Sequence, residues 1–107
     1  GLLVAVAVPL LMPASINVQY TAPSSMRGGA LHFEVRDPLG QAKDLAKQLK
    51  ALDPAVKLHW FEGTATIDMQ LQATQLDQAE AMLRAALNTP QVRLQPGFNR
   101  LTLAARP

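Results

Sequence analysis

Residues 45–71 read LAKQLKALDPAVKLHWFEGTATIDMQL, and this stretch decides the fold. Apolar side chains recur at helical spacing before Pro54 and alternate with polar side chains after it. That change of period predicts a helix followed by two strands. Glu62 and Gly63 lie between the two alternating runs and predict the tight turn of a hairpin.

The same order returns further along the chain, in residues 82–103, MLRAALNTPQVRLQPGFNRLTL, where Pro96-Gly97 is the predicted turn. A third and blurred copy opens at residues 10–13 and continues through an alternating run at 16–20 and another at 31–35. The repeat therefore predicts a fold built from helix, strand, strand units.

Capping residues give the expected starts of both helices. Asp37 before Pro38 predicts the start of the first, which we expect to continue to about Leu52. Thr74, with Asp77 three residues later, forms a pair like a capping box and predicts the start of the second. Each helix has one apolar stripe, which needs a sheet face to cover it.

The strands complete the predicted architecture, an α+β ferredoxin-like sandwich with two helices on one face of an antiparallel sheet. We expect residues 1–28 to form an apolar segment, a strand and a flexible loop, and residues 29–107 to form the ferredoxin-like domain. The predicted strands of that domain are 31–35, 56–60, 67–71, 92–94 and 101–105.

Composition excludes several classes of function. The 107 residues are 49% apolar, which is enough for the core of one domain, and only 5% are aromatic. Ten positive residues are spread along the whole chain without local density, so no nucleic-acid surface is predicted. The absence of cysteine leaves neither a disulfide framework nor a thiolate metal site.

The first 16 residues, GLLVAVAVPLLMPASI, are the most apolar stretch. Pro9 and Pro13 interrupt it, and it is shorter than the roughly 20 residues that span a bilayer. It has no basic leading region, so a signal peptide is a poor interpretation. We expect a longer natural protein, with a membrane anchor ahead of Gly1.

No catalytic or metal-binding cluster is predicted. His32 and His59 both fall on strand positions that alternation places toward solvent. Most carboxylates have expected structural roles at caps and turns, and no serine lies in a nucleophile-elbow sequence. The chain therefore predicts no enzyme, no cofactor and no metal. A cleft that joins either histidine to two carboxylates would instead favour an enzyme.

Three aromatic residues are the candidate partner-binding residues. Alternation directs Trp60 to the core and leaves Phe61 beside the hairpin turn on the solvent side. Phe98 follows the second predicted turn, and Tyr20 ends the first alternating run. Exposed rings can anchor a partner, and edge strands of such a sheet can pair with another chain.

Residues 45–107, with their two helix-Pro-hairpin units and the closing GFNRLTL of residues 97–103, resemble a known family. It comprises the C-terminal periplasmic domains of the L and M assembly-platform proteins of type II secretion systems. The N and O proteins of type IV pilus assembly look similar. The apolar residues 1–13 and the blurred third copy depart from the two units expected of that family.

The resemblance implies a ferredoxin-like domain on the periplasmic side of the bacterial inner membrane. It would be carried on one membrane helix and would bind no cofactor. Its expected partners are a second copy of itself and a sister platform protein, and the platform joins a cytoplasmic ATPase to pseudopilus assembly. The alternative is a small ligand-binding or regulatory ferredoxin-like domain of a larger envelope protein, indicated by a ligand pocket between helices and sheet.

Overall fold

The computed structural model of the protein describes residues 16–25 and 28–107. These residues form five strands and two α-helices, which confirms the α+β class and is compatible with a ferredoxin-like fold. In chain order the elements are β1 (Val18–Gln19), β2 (Gly29–Val35), α1 (Pro38–Leu49), β3 (Lys57–Phe61), β4 (Thr64–Leu71), α2 (Leu76–Leu87) and β5 (Gly97–Ala105).

The five strands form one sheet in the order β1-β3-β4-β5-β2. The three central strands are antiparallel, as predicted. The prediction of a wholly antiparallel sheet is wrong at both edges, because β1 pairs with β3 and β2 pairs with β5 in parallel. Parallel neighbours need long connections: the chain from β1 to β3 contains β2 and α1, and the chain from β2 to β5 contains α1, β3, β4 and α2.

Both helices pack on the same face of the sheet. The inward residues of α1 and α2 meet every second residue of β4, among them Ile67 and Met69, in one core cluster. Trp60 packs against this cluster, as alternation predicted. The fully buried large side chains of the core are Leu45, Leu49, Leu58, Ile67, Met69, Leu83, Val92, Leu101 and Leu103.

Helix α1 begins as predicted and ends earlier. The Asp37 carboxylate accepts a hydrogen bond from the Gly40 backbone N–H at 3.2 Å. After Leu49 the bonds shorten to i,i+3 turns, with Leu52 N–H donating to the Leu49 carbonyl. The α-helix therefore ends three residues before the predicted end. Asp53 lies in the turn that follows, between α1 and β3.

The predicted start of the second helix at Thr74 is wrong. A 3-10 turn, Ala73–Gln75, comes first and α2 begins at Leu76. Gln75 organises this end, since its Oε1 accepts from the Gln72 N–H and its Nε2 donates to the Leu52 carbonyl, both at 2.9 Å. The predicted end of the helix is confirmed, because Asn88 takes the left-handed conformation, with φ 53°.

The first predicted hairpin forms, joined by Glu62 and Gly63. Both residues have positive φ, 53° and 75°, which is the backbone of the two-residue turn that matches the twist of paired strands. Gly63 supplies this conformation without the steric cost that a side chain imposes.

The second predicted hairpin does not form, because residues 92–95 are not a strand. Side chains of α2 form hydrogen bonds with the backbone of this segment: the Leu94 N–H donates to Glu80 at 2.8 Å, and Arg84 donates to the Val92 carbonyl at 3.0 Å. Asn99 bonds both the N–H and the carbonyl of Gln95. With these groups satisfied, the position beside β5 is taken by β2.

The blurred third copy contributes two separate strands and no hairpin, since β1 and β2 lie at opposite edges of the sheet. Its opening at residues 10–13 lies outside the described residues, as does the rest of the apolar segment 1–15. Within the described ranges, neither helix has the length and apolar character needed to cross a membrane.

Candidate functional site

The sheet face opposite the helices is polar and is partly covered by residues 20–25, which we call the covering loop. Strand register places His59, Thr66 and Thr102 side by side on this face, with Asp68 and Arg100 in the next row. Thr66 and Asp68 are buried, although alternation predicted a solvated face. The covering loop contacts this face through hydrogen bonds from His59 and Arg100.

Arg100 attaches the covering loop to the sheet. Its guanidinium bonds both Asp68 oxygens, Nε to Oδ1 at 2.7 Å and a terminal nitrogen to Oδ2 at 3.0 Å. The same terminal nitrogen donates to the Ser24 carbonyl at 2.6 Å. The hydrogen bond that Arg100 donates to Asp68 raises the pKa of Arg100 despite partial desolvation, which favours the charged form of the guanidinium.

His59 makes the second attachment. Its Nδ1 lies 3.2 Å from the Thr21 carbonyl oxygen, which only accepts, so Nδ1 is the donor. The prediction that His59 faces solvent is wrong, because the covering loop leaves it only 8% exposed. His32, on β2, is exposed as predicted. Alternation along a strand identifies a face but does not reveal what crosses it.

A cleft of about 480 Å³ lies on this face, beside the covering loop. It lies on the side of the sheet away from the helices, whereas the ligand-binding alternative placed a pocket between helices and sheet. Its walls come from the covering loop, the turn after α1, and the adjoining ends of β3, β4 and β5. The lining includes Lys57, His59, Met69, Gln70 and Phe98.

The cleft joins His59 to two carboxylates, the arrangement that would favour an enzyme. Both carboxylates have structural partners: Asp53 accepts from the N–H groups of Ala55 at 3.0 Å and Gln70 at 2.8 Å. Asp68 is bound by Arg100 through both oxygens. These carboxylates hold the walls of the cleft in position. Among the described residues, no three or more His, Asp or Glu side chains are placed so that they could hold a metal ion together.

The outer edge of β2 is the longest unpaired strand edge of the described sheet. The Val35 carbonyl points toward β5, since it accepts from the Arg106 N–H at 2.9 Å beyond the ladder. Backbone direction alternates along a strand, so the N–H and carbonyl groups of Ala30, His32 and Glu34 point outward. The side chains of these three residues are exposed.

The structure brings two of the three candidate aromatic residues to one region. Tyr20, 66% exposed, follows β1, and Phe61, 41% exposed, ends the neighbouring β3. Phe98 lies at the other end of the sheet, half-buried in the cleft wall, with the Arg100 guanidinium 5.6 Å from its ring centre. Sequence reasoning missed the outward backbone of β2, because the predicted hairpin had placed residues 92–94 beside β5.

Comparison of the chain with protein-family models, curated proteins and solved structures finds no match in any of the three. Function is therefore inferred from the sheet edge, the cleft and the pattern of residues 45–107.

Proposed function

We propose that the protein is a non-enzymatic interaction domain of a bacterial secretion or pilus assembly platform. It acts by forming homodimers, or heterodimers with a sister platform protein, on the periplasmic side of the inner membrane. The finer assignment of a ferredoxin-like platform domain rests on the resemblance of residues 45–107. The observation that carries the interaction is the outward backbone of β2.

An unpaired strand edge offers a row of donors and acceptors at strand spacing, and another strand can complete it. Proteins that remain monomeric usually protect such an edge with charge, proline or a bulge. Strand β2 is seven residues long and contains one charged side chain, Glu34, and no proline. A second copy that pairs antiparallel with β2 extends the sheet from five strands to ten.

Tyr20 and Phe61 support a second contact region at the opposite edge. Strand β1 pairs only with Leu58 and His59 of β3, so the outer side of β3 at Phe61 has no strand beside it among the described residues, while β4 pairs with its inner side. Large exposed rings at a strand end suit a contact with a partner chain. The two edges would let one domain contact a copy of itself and a sister protein together.

Proline at position 32 tests the proposed β2 contact directly. Residue 32 directs its N–H outward, so His32→Pro removes a donor from the free edge and none from the ladder with β5. We expect sedimentation velocity over a concentration series to show a wild-type dimer and a shift of the His32→Pro variant toward monomer by at least tenfold in Kd. His32→Ala is the matched control, because it removes the same side chain and keeps the N–H.

A wild-type protein that stays monomeric at every concentration and binds no sister component would contradict the proposal. A dimer that is unaffected by His32→Pro would contradict the β2 contact and indicate pairing through the helices or the Phe61 region. The genes beside the full-length gene give an independent test, since the family assignment expects secretion or pilus assembly components there.

A further inference from the structure

We propose that the cleft beneath the covering loop binds a small organic anion with an aromatic or apolar body. This inference does not depend on the dimer, because the cleft lies on the polar face and β2 pairs through its edge. A volume of about 480 Å³ lies within the range of sites that hold small molecules.

One wall of the cleft is apolar. Its apolar side chains are those of Phe98, Ala22 and Ala55. The Arg100 guanidinium packs over the Phe98 ring. Gly28 lies so close to the ring that an added Cβ would come within 2.6 Å of it. A flat apolar group placed against this ring gains contact area without rearranging the wall.

The polar groups of the cleft favour an anion over a cation. Both carboxylates are already occupied, Asp53 by two backbone N–H groups and Asp68 by Arg100. Lys57 lines the cleft, and its ammonium makes no hydrogen bond or ion pair within the described part of the chain. Lys57 is thus the charged lining residue whose donors have no partner among the described residues, and Gln19 and Gln70 also line the cleft.

The site is organised before a ligand binds. Asp53 ties the turn after α1 to β4, and Arg100 ties the covering loop to β4 and β5. These bonds join three walls that are distant in sequence. A ligand that enters therefore loses little free energy to ordering the protein.

Two related dyes test the site on the full chain. 8-Anilinonaphthalene-1-sulfonate carries an aromatic body and one negative charge, and N-phenyl-1-naphthylamine is the same body without the charge. We expect both to bind with enhanced fluorescence. Lys57→Met should weaken the sulfonate about tenfold, the effect of one charge-assisted hydrogen bond, and leave the neutral dye unchanged. Lys43→Met, an exposed lysine on α1, is the matched control.

Amide chemical shifts identify where the dyes bind. Perturbations at Ala22, Ala55 and Gln70 are expected, and Phe98→Leu should weaken both dyes while keeping the fold. Perturbations confined to the helices, no binding of either dye at millimolar concentration, or equal sulfonate affinity in Lys57→Met and wild type would each overturn the proposal. None of these outcomes bears on the His32→Pro dimer test.

Discussion

The two faces of the sheet are buried by different chemistry. On the helix face, Ile67 and Met69 of β4 pack in an apolar core where burial itself supplies the stabilisation. On the opposite face, the alternate β4 residues Thr66 and Asp68 are almost as inaccessible, and the Arg100 guanidinium bonds both oxygens of the Asp68 carboxylate. One face depends on buried area and the other on matched polar partners.

This difference bears on which face can move. The helices contact the sheet through many apolar side chains, and removing either exposes a large area. The covering loop is attached by two bonds to its backbone, from His59 to Thr21 and from Arg100 to Ser24. Regions with few apolar contacts open at lower free energy than the core, so we expect the polar face and its cleft to open first.

The largest effect is expected on the helix face. Ile67→Ala removes a fully buried side chain and leaves a cavity, and should lower the free energy of unfolding by about 3 kcal/mol. Urea denaturation followed by circular dichroism measures it. Ile67→Val is the control and should cost about 1 kcal/mol. If the alanine variant costs no more than the valine variant, Ile67 is not in a tightly packed core.

A smaller effect is expected from the ion pair of the polar face. Asp68→Asn leaves the Arg100 cation largely buried without its counter-ion and should cost about 2 kcal/mol. The double variant Asp68→Asn with Arg100→Met removes both charges and should recover part of that loss. Losses that simply add would contradict an energetic coupling between the two side chains.

The pH dependence of this pair follows from the pKa of Arg100, which its hydrogen bond to Asp68 raises. A raised pKa stabilises the folded state at every pH below the unfolded value, and the stabilisation is lost as pH rises through the folded value. The pKa of Arg100 is strongly alkaline in both the folded and the unfolded state. The contribution of the Arg100 charge should therefore stay constant through neutral pH, with loss only in strong alkali.

Local pattern was sufficient for part of the fold. The hairpin of β3 and β4 follows from alternation and from Glu62-Gly63, and Asp37 and Asn88 mark helix ends because their bonds or dihedrals involve near neighbours. Residues 92–95 show the same alternation but do not form a strand, because the side chains of Glu80 and Arg84 on α2 hydrogen-bond to their backbone groups. The alternation of apolar and polar residues along a segment does not show whether side chains from another element bind its backbone.

The candidate site was harder to predict for a related reason. Residues 20–25 have no period at all, and nothing in the order of their side chains places them over β4. The one available signal was the opposite charge of Asp68 and Arg100 at facing positions of β4 and β5. An ion pair can face solvent without a loop packed over it, so this pair alone predicts neither the covering loop nor the cleft.

The smallest effect separates the covering loop from the sheet beneath it. His59→Gln removes the ring that bonds the Thr21 carbonyl and should cost about 1 kcal/mol, the net value of one hydrogen bond. Hydrogen exchange should become faster in residues 20–25 and remain unchanged in α1 and α2, because the helices contact the other face. His32→Gln, on exposed β2, is the control and should alter neither. Faster exchange in the helices of His59→Gln would mean that the two faces unfold as one unit, and that the different chemistry of their burial does not make them independent.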